Sequence, residues 1–313
     1  MRIKVLQALY AFKQSNNDNL TQGEKQLITS IDKLYELYIH QLSFLVELVR
    51  FAEQRIEDAK NKLLPSEQDL NPNVRFINNH FVKQISSNKD FRRKEDNYKI
   101  SWKEDEEMVR KFYVLLKETP EFKEYMAKEE CTYNDDKELV VTIFTNYLSE
   151  FELLEDFYED KSIYWADDYH LVTQMIVKTV RSWKNHYDEF WRLPVIFRND
   201  SEQGSEDFDF LKKLFRISVA KNKEYEKIIQ ERTKNWELER VAIMDVIIIQ
   251  MAIAEFLNMP TVPVKVTMNE YIEISKFFST PKSKIFINGV LDKLINEFNE
   301  AEKINKIGRG LQS

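Results

Sequence analysis

The chain has 313 residues, 43% of them hydrophobic and 32% charged, with a formal net charge of -7. That balance suits a soluble globular protein of two or three domains and excludes a uniformly basic nucleic-acid binder. Five glycines and a single cysteine, Cys131, argue against folds built on Gly-rich nucleotide loops and rule out an internal disulfide framework, the latter in keeping with a reducing cytoplasm.

Scarce glycine and proline with abundant Leu, Ile, Lys and Glu predict an all-α protein. The first element, Ile3 to Gln14, sets Val5, Leu6, Leu9 and Tyr10 at helical spacing, with Arg2, Lys4, Gln7 and Lys13 as polar positions. Polar residues return by Lys13, so this start is not read as a signal peptide. Ser15 to Gly23 reads as a loop. A long helical pattern follows from about Glu24 to Leu64, and Pro65 ends it. Residues 65–101 read as irregular, with turn chemistry at Asn71-Pro72-Asn73 and one short helix carried by Phe76, Ile77, Phe81, Val82 and Ile85. Helical patterns resume at about 103–117, 119–130, 135–156 and 166–187. Arg198 to Asp207, with Gly204, reads as a loop, and a further helix covers about Phe208 to Glu231.

The charge is divided along this path. Between Glu104 and Asp160 lie 18 acidic and 6 basic residues, a local net of -12, whereas residues 1–14 contain Arg2, Lys4 and Lys13 and no acid. A polyanion should be held by the ends and repelled by the middle.

The terminal unit opens at Asn235-Trp236 with a helix over Leu238 to Leu257. Asp245, Gln250 and Glu255 interrupt its apolar run, which therefore reads as a buried core helix and not as a membrane anchor. Pro260 and Pro263 bracket a turn. Thr267 and Glu270 have capping-box spacing, so the next helix should open near Met268. Thr280 can cap the last helix, and Pro281 suits its first position. That start leaves backbone N–H groups beside Lys282, Ser283 and Lys284. They form either a phosphate site or an ordinary helical hairpin with a solvated lysine pair. Residues after Ala301 are expected to fray.

The N- and C-terminal segments together resemble the NusB family of transcription antitermination factors. At the start the match is Arg2-Ile3-Lys4-Val5-Leu6-Gln7-Ala8-Leu9-Tyr10. At the end it runs from Trp236 and Arg240 through Met251-Ala252-Ile253-Ala254-Glu255, Val262-Pro263, Asn269-Glu270 and Lys276 to Phe286-Ile287-Asn288-Gly289-Val290-Leu291-Asp292. The resemblance covers a quarter to a third of the chain and brackets a central region like that of the enlarged forms in Bacteroidetes-type bacteria. It implies an all-helical fold of two helical subdomains with a large helical insertion. Residues 1–22 would supply the N-terminal helix, 23–230 the acidic central region, 231–300 the C-terminal subdomain and 301–313 a flexible tail.

The resemblance also implies a cytoplasmic, non-catalytic factor without a cofactor or small-molecule substrate. Its partners would be boxA-like single-stranded RNA of ribosomal RNA leaders, NusE (a small-subunit ribosomal protein) and the transcription elongation complex. The RNA-facing positions carried over are Arg2, Lys4, Gln7, Tyr10, Lys282, Ser283, Lys284 and Phe286, and Asp245 matches an acidic position facing NusE. The arginine-rich extension of many members has no counterpart before Met1, which implies weaker, less salt-sensitive RNA binding. Lys282 stands where some members carry an acid, and recovers part of that loss.

Several of these residues have plainer readings. Phe286 either stacks on a base or packs in the core, and Tyr10 reads more as helix packing than as an RNA contact. Gly289 is expected to allow close helix approach. Asn269 and Asn288 are expected to bond neighbouring helices. Asp135-Asp136 and Asp167-Asp168, even with His80, His170 and His186, lack a known metal-ligand spacing and read as helix caps. Cys131 sits among acids, which disfavour a thiolate. Ribosomal RNA methyltransferases with a NusB-like domain need a Gly-rich cofactor loop that is absent here. A protein–protein scaffold with lapsed RNA binding is the remaining alternative.

Overall fold

The computed structural model describes residues 1–15, 18–197, 206–233 and 242–311, and among these no strand occurs. The helices in chain order are α1 (Arg2–Gln14), α2 (Leu20–Lys60), α3 (Glu67–Leu70), α4 (His80–Ser87), α5 (Lys89–Tyr98), α6 (Glu106–Glu118), α7 (Pro120–Ala127), α8 (Tyr133–Thr142), α9 (Glu152–Lys161), α10 (Tyr169–Ser182), α11 (Glu206–Ala220), α12 (Asn222–Arg232), α13 (Ile243–Asn258), α14 (Val264–Phe278) and α15 (Pro281–Glu300). The chain divides into two compact units, residues 1–31 with 197–313, and residues 32–196. Trp236, Arg240, the opening at Asn235-Trp236 and most of the Arg198–Asp207 loop lie outside the described residues. Among the described residues no helix is long and apolar enough to cross a membrane.

The unit formed by the two ends is built on α13. Every residue from Asp245 to Phe256 in it is buried, because α1, α11, α12, α14 and α15 all pack against it. Helix α1 contributes Val5, Leu6 and Leu9 to that core. The expected loop over Ser15–Gly23 is shorter than its polarity suggests. Asn19 accepts the N–H of Gln22 at 3.1 Å and opens α2 at Leu20. Gly23 is required there, since a Cβ would lie 2.6 Å from the Phe12 ring and 2.8 Å from Phe215.

The segment after Ala301 is docked where fraying was expected. Pro260 carbonyl accepts the N–H of Ile307 at 3.0 Å, and the Lys306 ammonium donates to the Met259 carbonyl at 2.9 Å. Gly310 makes this possible, because a Cβ there would sit 2.0 Å from the Pro260 oxygen. Gly310→Ala is therefore expected to release the segment at a cost of about 1–3 kcal/mol, the usual penalty for overpacking. Limited proteolysis after Glu300 and the urea midpoint measure it; an unchanged cleavage rate would contradict the docking.

The 32–196 unit packs around aromatic side chains, among them Phe44, Trp102, Phe112 and Tyr158. The density of Trp and Tyr in the sequence is thus chiefly a core. Residues 65–101 hold more helix than expected, because Asn79 and Asn88 each cap one. Their side-chain oxygens accept the N–H groups of Val82 at 3.0 Å and Phe91 at 2.9 Å. Asp135 reads as the sequence suggested, closing a capping box with Thr132 at the start of α8. Asp136 instead is buried and accepts from the Tyr125 hydroxyl at 2.6 Å and the His80 N–H at 2.8 Å. The single helix expected over 135–156 is broken by a π-helical turn at Ile143–Tyr147 and a bend at Phe151. The Leu148 carbonyl at this interruption is taken by the Tyr169 hydroxyl.

Candidate nucleic-acid interface

Glu255 is fully buried near the end of α13. Arg2 grips its carboxylate with two donors, Nε at 2.9 Å and Nη2 at 2.7 Å. The hydroxyls of Thr267 at 2.8 Å and Tyr271 at 3.0 Å complete the shell. Burial alone would lower the Arg2 pKa, but the Glu255 carboxylate more than offsets it and holds it above its ordinary value. Arg2 also pairs with Glu270 at 3.2 Å and lies over the Phe210 ring. Its guanidinium is thus committed to fastening α1 onto α13 and α14.

This shell explains why α14 does not open near Met268. Thr267 is buried, and its hydroxyl serves Glu255 instead of capping; the helix starts at Val264, directly after Pro263. The other carried-over positions on α1 differ in exposure. Lys4 is buried, Gln7 is half-buried and Tyr10 is exposed.

The last helix begins as its sequence indicates. Thr280 Oγ1 accepts the Ser283 N–H at 3.2 Å, and its carbonyl accepts that of Lys284 at 3.1 Å. Two of the three expected N–H groups are therefore used internally, and that of Lys282 has no partner among the described residues. Lys282 is exposed and Lys284 half-buried. Just ahead of this start, the Ser279 hydroxyl donates to Asp245, whose carboxylate is buried at the opposite end of α13 from Glu255. Ten residues separate the two acids, about 15 Å along the axis at the usual helical rise. Arg2 and the start of α15 are thus tied to opposite ends of one helix and are not brought into contact.

What the structure does assemble is a groove of about 440 Å³ between α15 and the end of α12. Lys282, Phe286, Gly289 and Lys293 line it from one helical face, and Arg232 faces them from α12. Phe286 is 8% exposed, so it packs while still forming the floor. Among the described residues none lies within 4 Å of a would-be Gly289 Cβ, so the close helix approach expected of it is not seen there and the groove is open beside it. Asn288 bonds Asp292 of its own helix at 3.1 Å and not a neighbour, and Asn269 is exposed. Sequence reasoning missed Lys293 and Arg232. The spacing of Lys282, Phe286, Gly289 and Lys293 (four, three and four residues) marked one face and would have found the first. Arg232 carried no such signal, and here it also pairs with Glu297 at 2.5 Å.

Among the described residues no cluster of His, Cys, Asp and Glu is arranged to hold a metal ion. The unit is thus all-helical, with a capped, cationic helix start and an apolar-floored groove. The chain belongs to the NusB family. A family model described as NusB matches residues 170–296. Over 119 residues the chain is 41% identical to the transcription antitermination protein NusB of Salinibacter ruber, covering 38% of this chain and 74% of that protein. It is 42% identical over 103 residues to that of Chloroherpeton thalassium (33% of this chain, 49% of that protein). It is 39% identical over 90 residues to that of Koribacter versatilis (29% and 62%). The last two matches span less than two thirds of the relatives' lengths. No solved structure matches the chain.

Proposed function

We propose that this chain works in transcription antitermination as a NusB-type factor that binds boxA-like single-stranded RNA together with NusE, in the cytoplasm and without catalysing a reaction. The observation that carries the RNA reading is the α15 groove, where Lys282, Lys293 and Arg232 surround an apolar floor ending in an aromatic ring. Ammonium and guanidinium groups hold phosphates, and the apolar floor at Phe286 gives a base a nonpolar surface to rest on. Asp245 contributes to a NusE-facing surface indirectly, by fixing the turn into α15 through Ser279.

A gel-shift titration with boxA-like RNA, with and without NusE, tests this. Lys282→Glu with Lys284→Glu is expected to weaken binding about tenfold or more and to flatten the salt dependence by roughly 0.7 per lost phosphate contact. Affinity unchanged in the double variant would move the RNA site away from α15. The scaffold reading draws on a different fact, that Arg2 is spent on Glu255 and Lys4 is buried. No RNA binding by the wild type, alone or with NusE, would favour it.

A further inference from the structure

The 32–196 unit is acidic overall, but its acids gather between Glu104 and Asp160, and the stretch from Lys178 to Arg192 is net positive. From Lys178 to Arg192 the four cations Lys178, Arg181, Lys184 and Arg192 are interspersed with two acids, Asp188 and Glu189. None of the four cations is in an ion pair among the described residues. The same stretch carries Tyr187, Phe190 and Trp191. Tyr187 and Trp191 stack with ring centroids 3.8 Å apart and planes 8° from parallel. Trp191 is 46% and Phe190 70% exposed. Large aromatic rings left this open, beside uncompensated charge, are unusual on a surface with no partner.

The loop that carries them is fastened from behind. Gln84 donates its amide to the carbonyls of Asn185 at 2.9 Å and Tyr187 at 3.0 Å. The Lys137 ammonium holds the carbonyls of Arg181 at 2.8 Å and Trp183 at 3.0 Å. Asn88 holds that of Trp191 at 2.7 Å. Trp183 is buried, so the loop is anchored by its own ring as well. A surface ordered in this way gives up little entropy when a ligand arrives. Its basic edge continues through Arg181 into a groove of about 830 Å³ along α10, which also holds His170 and Lys178. Thr145, on the π-helical turn, borders the same groove, and such turns often accompany functional sites.

We propose that this loop and groove form a second site for single-stranded RNA, in which Trp191 and Phe190 stack on bases while Lys178, Arg181, Lys184 and Arg192 hold phosphates. Positive charge interleaved with stacking rings matches a polynucleotide. The site rests on the RNA-binding reading above but not on the α15 groove.

The test uses the full chain and oligouridine RNA carrying 4-thiouridine, read by fluorescence anisotropy and by mapping of photo-cross-links. Cross-links are expected on the peptide spanning Trp183 to Leu193. Trp191→Ala and Phe190→Ala should each weaken oligouridine binding about tenfold, within the usual worth of one stacked base. Lys184→Glu with Arg192→Glu should reduce the salt slope. Circular dichroism should leave all three variants as folded as the wild type. The Lys282→Glu, Lys284→Glu protein should keep the loop cross-links. Cross-links confined to α15, or oligouridine affinity unmoved by the loop variants, would overturn the second site while leaving the α15 reading standing. Binding of polyglutamate in place of RNA would overturn it in favour of an acidic protein partner. A wild type that binds no RNA of either kind would end both.

Discussion

Replacing Arg2 with alanine is expected to destabilise the unit formed by residues 1–31 and 197–313 by about 3–5 kcal/mol, the usual cost of stripping a buried carboxylate of its cation. Glu255 has no solvent exposure with which to recover water. Without Arg2 its charge would be left to the hydroxyls of Thr267 and Tyr271. Arg2→Lys should recover only part of the loss, because one ammonium cannot reproduce the two-pronged contact of Nε and Nη2. The double variant Arg2→Met, Glu255→Gln should be more stable than Arg2→Ala, since it removes the orphaned charge along with its partner. Urea denaturation of the four proteins decides the matter. A loss below about 1 kcal/mol for Arg2→Ala would place the pair with exposed ion pairs and return Arg2 to the list of available RNA contacts.

The second large effect concerns acid. His40 is buried with its ring edge-on to Trp102, Tyr158 and Trp165, and its Nδ1 has no hydrogen-bond partner among the described residues. Burial, with help from Lys161 and Lys33, pushes its pKa down from 6.5 to about 3. The unfolded chain therefore takes up a proton before the folded one does. Stability from the neutral ring is complete above about pH 6.5 and is lost as pH falls toward about 3. Between neutrality and about pH 4.5 the 32–196 unit should lose roughly 2–3 kcal/mol from this group. His40→Phe keeps the ring and removes the titration, so its stability should fall less over the same interval, by about that amount. Equal acid losses in the two proteins would show that His40 does not carry the effect.

Much of the fold was legible because it depended on neighbours in sequence. The Thr280 cap, the helical face of α1 and the Asp135 cap all involve partners within four residues, where spacing is informative. Thr267 shows the limit. Its distance from Glu270 fits a capping box, but its hydroxyl is claimed by Glu255, twelve residues away on another helix. Arg2 fails as a surface cation for the same reason, across a separation of 253 residues. Gly289 and Gly310 could not be sorted by sequence, since one lies beside an open groove and the other admits a distant carbonyl. At the candidate site, Lys282 and Phe286 were found from motif and spacing. Lys293 had a periodic signal that went unused, and Arg232 joins them only through the packing of α12 against the rest of its unit.

The grip of Arg2 on Glu255 also sets an order of events at the ribosome. The 32–196 unit emerges whole and can collapse on contacts of its own. Helix α1 leaves the exit tunnel well ahead of its seat on α13, which is translated some two hundred and fifty residues later. Until then the face of Val5, Leu6 and Leu9 lacks its cover from α13, and closing so long a loop is slow. Helix α1 should be among the last parts of its unit to become native, and its apolar face should need shielding by a chaperone throughout that wait.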